Sequence, residues 1–104
     1  MDRVRKIINA PRAYGRGYFG EGVGVAVLDT GISLHPDFGH RVACFSDYIN
    51  GRRAPYDDNG HGTHIAGIIG GDGGASQGLY MGIAPRCHFV AIKILDRKGN
   101  GNTE

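Results

Sequence analysis

An unbroken apolar string, Val23-Gly-Val-Ala-Val-Leu28, stops abruptly at Asp29-Thr30-Gly31. It has the length of a strand and lacks the alternation of a strand with one wet face, so it reads as a strand buried on both faces, as in a parallel sheet. A second apolar run, His88-Phe-Val-Ala-Ile-Lys-Ile-Leu95, is bounded by Pro85 in front and the polar stretch Asp96 to Gly101 behind, and reads the same way. Val42 to Tyr48 is a weaker strand, followed by a polar loop from Asn50 to Asn59. From His61, the sequence His-Gly-Thr-His-Ile-Ala-Gly-Ile-Ile places Ile65, Ile68 and Ile69 on one helical face, with Gly62 and Gly67 suggesting tight packing. Strands separated by helical segments indicate βαβ units in an α/β sheet of mainly parallel strands.

The chain has 104 residues, enough for one domain and too few for two. Glycine supplies 19 of them, well above the average share of about 7%, with no collagen-like period, so these glycines serve local backbone geometry around a site. Lys and Arg exceed Asp and Glu by 12 to 10, a near-balance that argues against coating nucleic acid. No apolar run approaches the ~20 residues of a membrane-spanning helix, which points to a soluble chain without a membrane partner. Cys44 and Cys87 have no second thiol near either in sequence, which excludes a zinc ribbon and a disulfide-dense scaffold and leaves a single bridge open.

At the N-terminus, Val4, Ile7 and Ile8 before Pro11 suggest a short docking helix, and no apolar core of a secretory signal is visible. Gly70 to Gly78 reads as a flexible surface loop, and Gly101-Asn-Thr-Glu104 as the opening of a helix capped by Asn102 or Thr103. Three strands with one or two short helices leave at least one apolar sheet face partly uncovered, the expectation for a fragment of an incomplete doubly wound sheet.

In open α/β sheets ligands bind beyond the carboxyl ends of the strands, where Asp29 stands. On its own, Asp29-Thr30-Gly31 makes a turn. His61 changes that reading, because it opens a helix between Gly60 and Gly62, which let another backbone approach. A helix N-terminus disfavours imidazole protonation, while a nearby carboxylate favours it and fixes the tautomer. A carboxylate on one ring nitrogen leaves the other free to take a proton from a nucleophile, which is the task of a general base.

Three motifs in register, Val25-Ala-Val-Leu-Asp29-Thr-Gly-Ile32, Asp57-Asp-Asn-Gly-His61-Gly-Thr-His-Ile-Ala-Gly67, and Gly82-Ile-Ala-Pro85 leading into Val90-Ala-Ile-Lys-Ile-Leu95, resemble the subtilisin-like serine endopeptidases. The resemblance covers nearly the whole chain but only the first part of that family's catalytic domain. It implies that Asp29 is the triad carboxylate and His61 the general base, with Thr30, Gly31, Gly60, Gly62, Thr63 and His64 structural around them. His64 is expected to pack and hydrogen-bond beneath the site as the residue three after His61. Leu95 matches a residue lining the substrate cleft. Gly99-Asn100-Gly101 matches the edge along which family substrates lie extended, where glycine would clear room for a polypeptide's side chains.

The nucleophilic serine motif and the oxyanion asparagine are absent, and Ser33, Ser46 and Ser76 lie in no comparable motif. The resemblance therefore implies an endopeptidase whose first part is present, inactive by itself and lacking the C-terminal remainder of its catalytic domain as a partner. No cofactor is required. Calcium is an option, since Asp37 resembles a position where relatives place a calcium ligand, although one carboxylate falls short of the six to eight oxygens that ion takes. Many relatives are secreted behind a signal and a propeptide, whereas Met1 here leads directly into catalytic-domain sequence, which favours a cytoplasmic form or an incomplete gene model.

Three rival readings fit the residues less well. Asp-Thr-Gly also marks aspartic proteases, but their fold is almost wholly β. His61 and His64 with Asp57 or Asp58 could hold a hydrolytic metal, but the glutamate and spacing of zinc hydrolases are missing. A non-catalytic binding or regulatory piece would present an unfinished sheet to a partner.

Overall fold

Strands β1 (Gly24–Asp29), β2 (Val42–Asp47) and β3 (His88–Lys93) form one sheet in the order β1-β3-β2, every pair parallel, in this computed structural model. The structure describes residues 10–76 and 81–101. The docking helix expected around Val4, Ile7 and Ile8 and the helix opening at Asn102–Glu104 lie outside the described residues. Helix α1 (Ala10–Gly15) has Pro11 inside it. Helix α2 (His61–Gly70) links β2 to β3. Short 3-10 turns occupy Pro36–Phe38 and Gly74–Ser76, the second falling within the stretch read as a flexible loop.

The period of two along each strand sorts its residues between the two faces of the sheet. Val25, Val27 and Asp29 on β1 stand beside Phe89, Ala91 and Lys93 on β3, and this row faces the core. Val27, Ile32, Phe38, Ala66, Cys87, Phe89 and Ala91 are buried together there, with Ile65 and Ile69 of α2 packed against them. Phe38 and Phe89 meet edge to face at 5.1 Å.

The opposite face corrects the reading of β1 as buried on both sides. Ala26 and Leu28 are exposed, Leu28 by 55%, and Cys44 beside Val90 is exposed as well. The string is apolar enough for two-sided burial, but the described residues place a helix over one face only. This is the partly uncovered apolar face that the small number of elements implied. Both cysteines are free, Cys44 on the open face and Cys87 in the core.

The last carbonyls of α2 lack partners within the helix and find them in the segment before β3. Ile83 N donates to Ile68 O at 3.1 Å and Ala84 N to Ile69 O at 2.7 Å. Half-buried Arg41 ties the same end together, donating to Cys87 O at 2.9 Å, Asp37 O at 2.7 Å and Gly70 O at 2.6 Å. With that end fixed, the N-terminus of α2 lies against the carboxyl ends of the strands.

Candidate active site

Asp29 is the last residue of β1 and is 8% exposed. Its backbone carbonyl accepts from Ile94 N and Leu95 N, which joins the end of β1 to the exit of β3. Its Oδ1 accepts from Thr30 N at 2.7 Å. The chain turns at once, and Gly31 pairs with Asp57 so closely that a Cβ on Gly31 would strike the Tyr56 carbonyl.

His61 opens α2 and meets Asp29 across this turn. Its Nδ1 lies 2.9 Å from both Asp29 oxygens, with the carboxylate mostly buried and the imidazole 58% exposed. A neutral ring that donates Nδ1–H to this carboxylate carries its lone pair on Nε2, and Nε2 has no partner among the described residues. The close approach depends on Gly62, whose amide donates to Thr30 Oγ1 at 2.9 Å and whose missing side chain leaves room for Gly31. Gly67 does not share this role, because a Cβ there would meet nothing within 4 Å.

The start of α2 is capped from a distance. Gly60 at the cap position has φ +101, a left-handed conformation suited to glycine, and no side chain to offer. Asp57 accepts instead from Gly60 N, Asn59 N and Thr63 N, and from the hydroxyls of Thr63 and Thr30. Partial burial works to raise its pKa, but these hydrogen bonds outweigh it and hold the carboxyl far below the usual range. Thr63 Oγ1 also accepts from Ser33 N at 2.9 Å.

Beneath the turn, Lys93 is fully buried at the end of β3. Its Nζ donates to Thr30 O at 2.6 Å, Asp58 Oδ1 at 2.8 Å and Leu95 O at 2.9 Å, and stands over the Tyr56 ring. The sequence reading passed over Lys93 as one letter in an apolar run. A lysine inside a buried strand needs a fixed anion, and the Asp57-Asp58 doublet was the available signal.

Several expected roles change. His64 is exposed, lines an open groove with Ser33, His35, Asp37 and Phe38, and its ring has no hydrogen bond among the described residues. It projects into that groove instead of bonding beneath the site. Asp57 and Asp58 bind the partners named above, and no group of three or more metal-binding side chains is found among the described residues. Asp37 Oδ1 accepts from Ala75 N at 2.8 Å.

Leu95 and Gly101 pair with each other, and Asp96 N donates to Asn100 O at 2.8 Å, closing a tight turn. Gly99 has φ +81 in this turn and Gly101 lies under Leu95 Cδ2, so both glycines answer to the turn itself as well as to any chain lying outside it.

Asp29 and His61 thus form a carboxylate–imidazole pair beyond the carboxyl ends of parallel strands, where open α/β sheets place their ligand sites. Residues 20–104 match the model of the subtilase family, and the chain belongs to that family. It is 49% identical to serine protease AprX of Bacillus subtilis (strain 168) over 79% of this chain and 19% of that protein. It is 44% identical to subtilisin Savinase of Lederbergia lenta over 91% of this chain and 34% of that protein. The solved structure of a cold adapted subtilisin-like serine proteinase superposes with a TM-score of 0.70 at 37% identity, covering 83% of this chain and 29% of the other. The chain thus spans only a fifth to a third of the length of these relatives.

Proposed function

We propose that this chain supplies the carboxylate and the general base of a serine-type endopeptidase that cleaves polypeptides through an acyl-enzyme, and that it does not cleave them alone. The observation that carries this reading is the placement of His61 Nδ1 2.9 Å from both oxygens of Asp29. With Nδ1–H held by the carboxylate, Nε2 takes the proton of a serine hydroxyl as that oxygen attacks the peptide carbonyl. Asp29 stays ionised and stabilises the imidazolium. The imidazolium then gives the proton to the leaving amine, and His61 activates water in the same way to release the acyl group. The serine and the oxyanion donor come from the remainder of the catalytic domain in this reading. Leu95, Gly99, Asn100 and Gly101 form the rim along which an extended substrate lies.

Two measurements test the proposal. A fluorophosphonate probe should leave the 104-residue chain unlabelled, and stoichiometric labelling would show that a nucleophile is already present. In the complete catalytic domain, Asp29→Asn should reduce kcat by about 10⁴-fold through loss of the correct tautomer. An unchanged kcat would remove Asp29 from the mechanism.

A further inference from the structure

Asp57 lies between the two sets of contacts that bring Asp29 and His61 together, while bonding to neither side chain. Its Oδ1 accepts from Thr30 Oγ1 at 2.8 Å, Asn59 N at 3.1 Å and Gly60 N at 2.8 Å. Its Oδ2 accepts from Thr63 N at 2.9 Å and Thr63 Oγ1 at 2.6 Å. The three amides lie at and before the first turn of α2, the turn that carries His61. The Thr30 hydroxyl belongs to the residue whose amide bonds Asp29 Oδ1.

Thr30 Oγ1 has a single proton, and Asp57 takes it. The lone pairs of that oxygen are thereby turned toward Gly62 N, which donates to it at 2.9 Å. One carboxylate therefore grips the helix through its amides, grips the strand end through a hydroxyl, and sets the direction of the hydrogen bond that joins them. We propose that Asp57 is a positioning residue, holding the first turn of α2 against the end of β1 so that the imidazole of His61 stays in line with the carboxylate of Asp29. This rests on the reading of Asp29 and His61 as the catalytic pair.

The charge-free isostere should not substitute. In Asp57→Asn the side-chain NH2 group would face three donors if placed at the Oδ1 position and two at the Oδ2 position. Hydroxyls can reverse their direction, but backbone amides cannot.

The test is nitrogen-edited NMR of the histidine rings in the full 104-residue chain. The wild type should show a protected Nδ1–H and an unprotonated Nε2 for His61, both lost in Asp29→Asn. A wild type without that signature would defeat the catalytic pairing itself, independently of Asp57. Given the signature, folded Asp57→Asn should lose the protected Nδ1–H while the rings of His35, His40 and His88 keep their spectra. If the signal survives and only the denaturation midpoint falls, Asp57 caps a helix and does no positioning, and the proposal is overturned. Should Asp57→Asn fail to fold, the hydroxyl of Thr30 gives the answer. Thr30→Val should lose the signal and Thr30→Ser keep it, and any other pattern overturns the proposal.

Discussion

Gly62 and Gly67 occupy the same helix, yet the structure assigns opposite consequences to an added methyl group. A Cβ on Gly62 would lie 3.0 Å from Gly31 N, 3.2 Å from the Asp29 Cβ, and closer still to the Gly31 carbonyl oxygen. These neighbours are backbone and a β-carbon that cannot swing aside, so the first turn of α2 must back away by about 1 Å to restore ordinary contact. Such a retreat strains the core by about 1–3 kcal/mol. It also stretches the His61–Asp29 and Gly62–Thr30 hydrogen bonds, at about 1 kcal/mol each. Alanine repays about 1 kcal/mol through its better helix propensity. The net cost of Gly62→Ala is therefore about 2–4 kcal/mol, which at an m-value near 2 kcal/mol/M lowers the urea midpoint by roughly 1–2 M. Gly67→Ala meets nothing within 4 Å. It should leave the midpoint unchanged or raise it, by up to about 1 kcal/mol in stability. Equal midpoints for the two variants would refute the claim that a backbone contact at Gly62 sets the distance between helix and strand.

Three further outcomes are expected. Burial works to raise the pKa of Asp47, but hydrogen bonds from Tyr56 and backbone amides overcome it and lower the value to about 2 from an ordinary 3.8, and Asp57 lies lower still. Because the unfolded chain takes up these protons first, the associated stability is complete above about pH 4 and is lost as pH falls through about 2. Urea midpoints should be flat in this contribution from about pH 7 to 5 and decline below about 4, with a shallower acid decline in Asp47→Asn. Lys93→Met should cost about 2–4 kcal/mol, because it strands Thr30 O and Leu95 O and leaves partly exposed Asp58 without its cation. A midpoint within error of wild type would show that those carbonyls find other donors. A thiol-alkylating reagent should add one group to the native chain, at exposed Cys44, and two in denaturant, since Cys87 is buried and its pKa is raised by that burial. Mass spectrometry reads the count, and two groups on the native chain would contradict the packing of the core.

The strands were legible because an apolar run of fixed length has few other uses: β2 and β3 fall within the segments read from the sequence, and β1 overlaps its segment but runs one residue further to include Asp29. The count of covered faces was not legible in β1, since composition records what a face can tolerate and not what lies over it. Asp29 and His61 were legible through their places at a strand end and a helix start. Their supports were harder to see. Asp57 and Asp58 are adjacent letters whose side chains diverge, one to the helix amides and one to Lys93. Gly62 and Gly67 are identical letters separated only by what stands opposite each. His64 was placed beneath the site by helical spacing, but spacing fixes an angle around the helix and not the identity of the neighbour met there.

Arg41 gives the molecule an asymmetry of another kind. At the strand ends that carry Asp29, the hydrogen bonds are divided among several side chains, Thr30, Asp57, Thr63 and Lys93. At the far end one guanidinium spans three carbonyls from three separate segments. A lysine could reach fewer of them, and a side chain without a donor none. Damage at Arg41 would consequently surface in a cell as a shortage of folded chain, removed by quality control before any question of turnover arises.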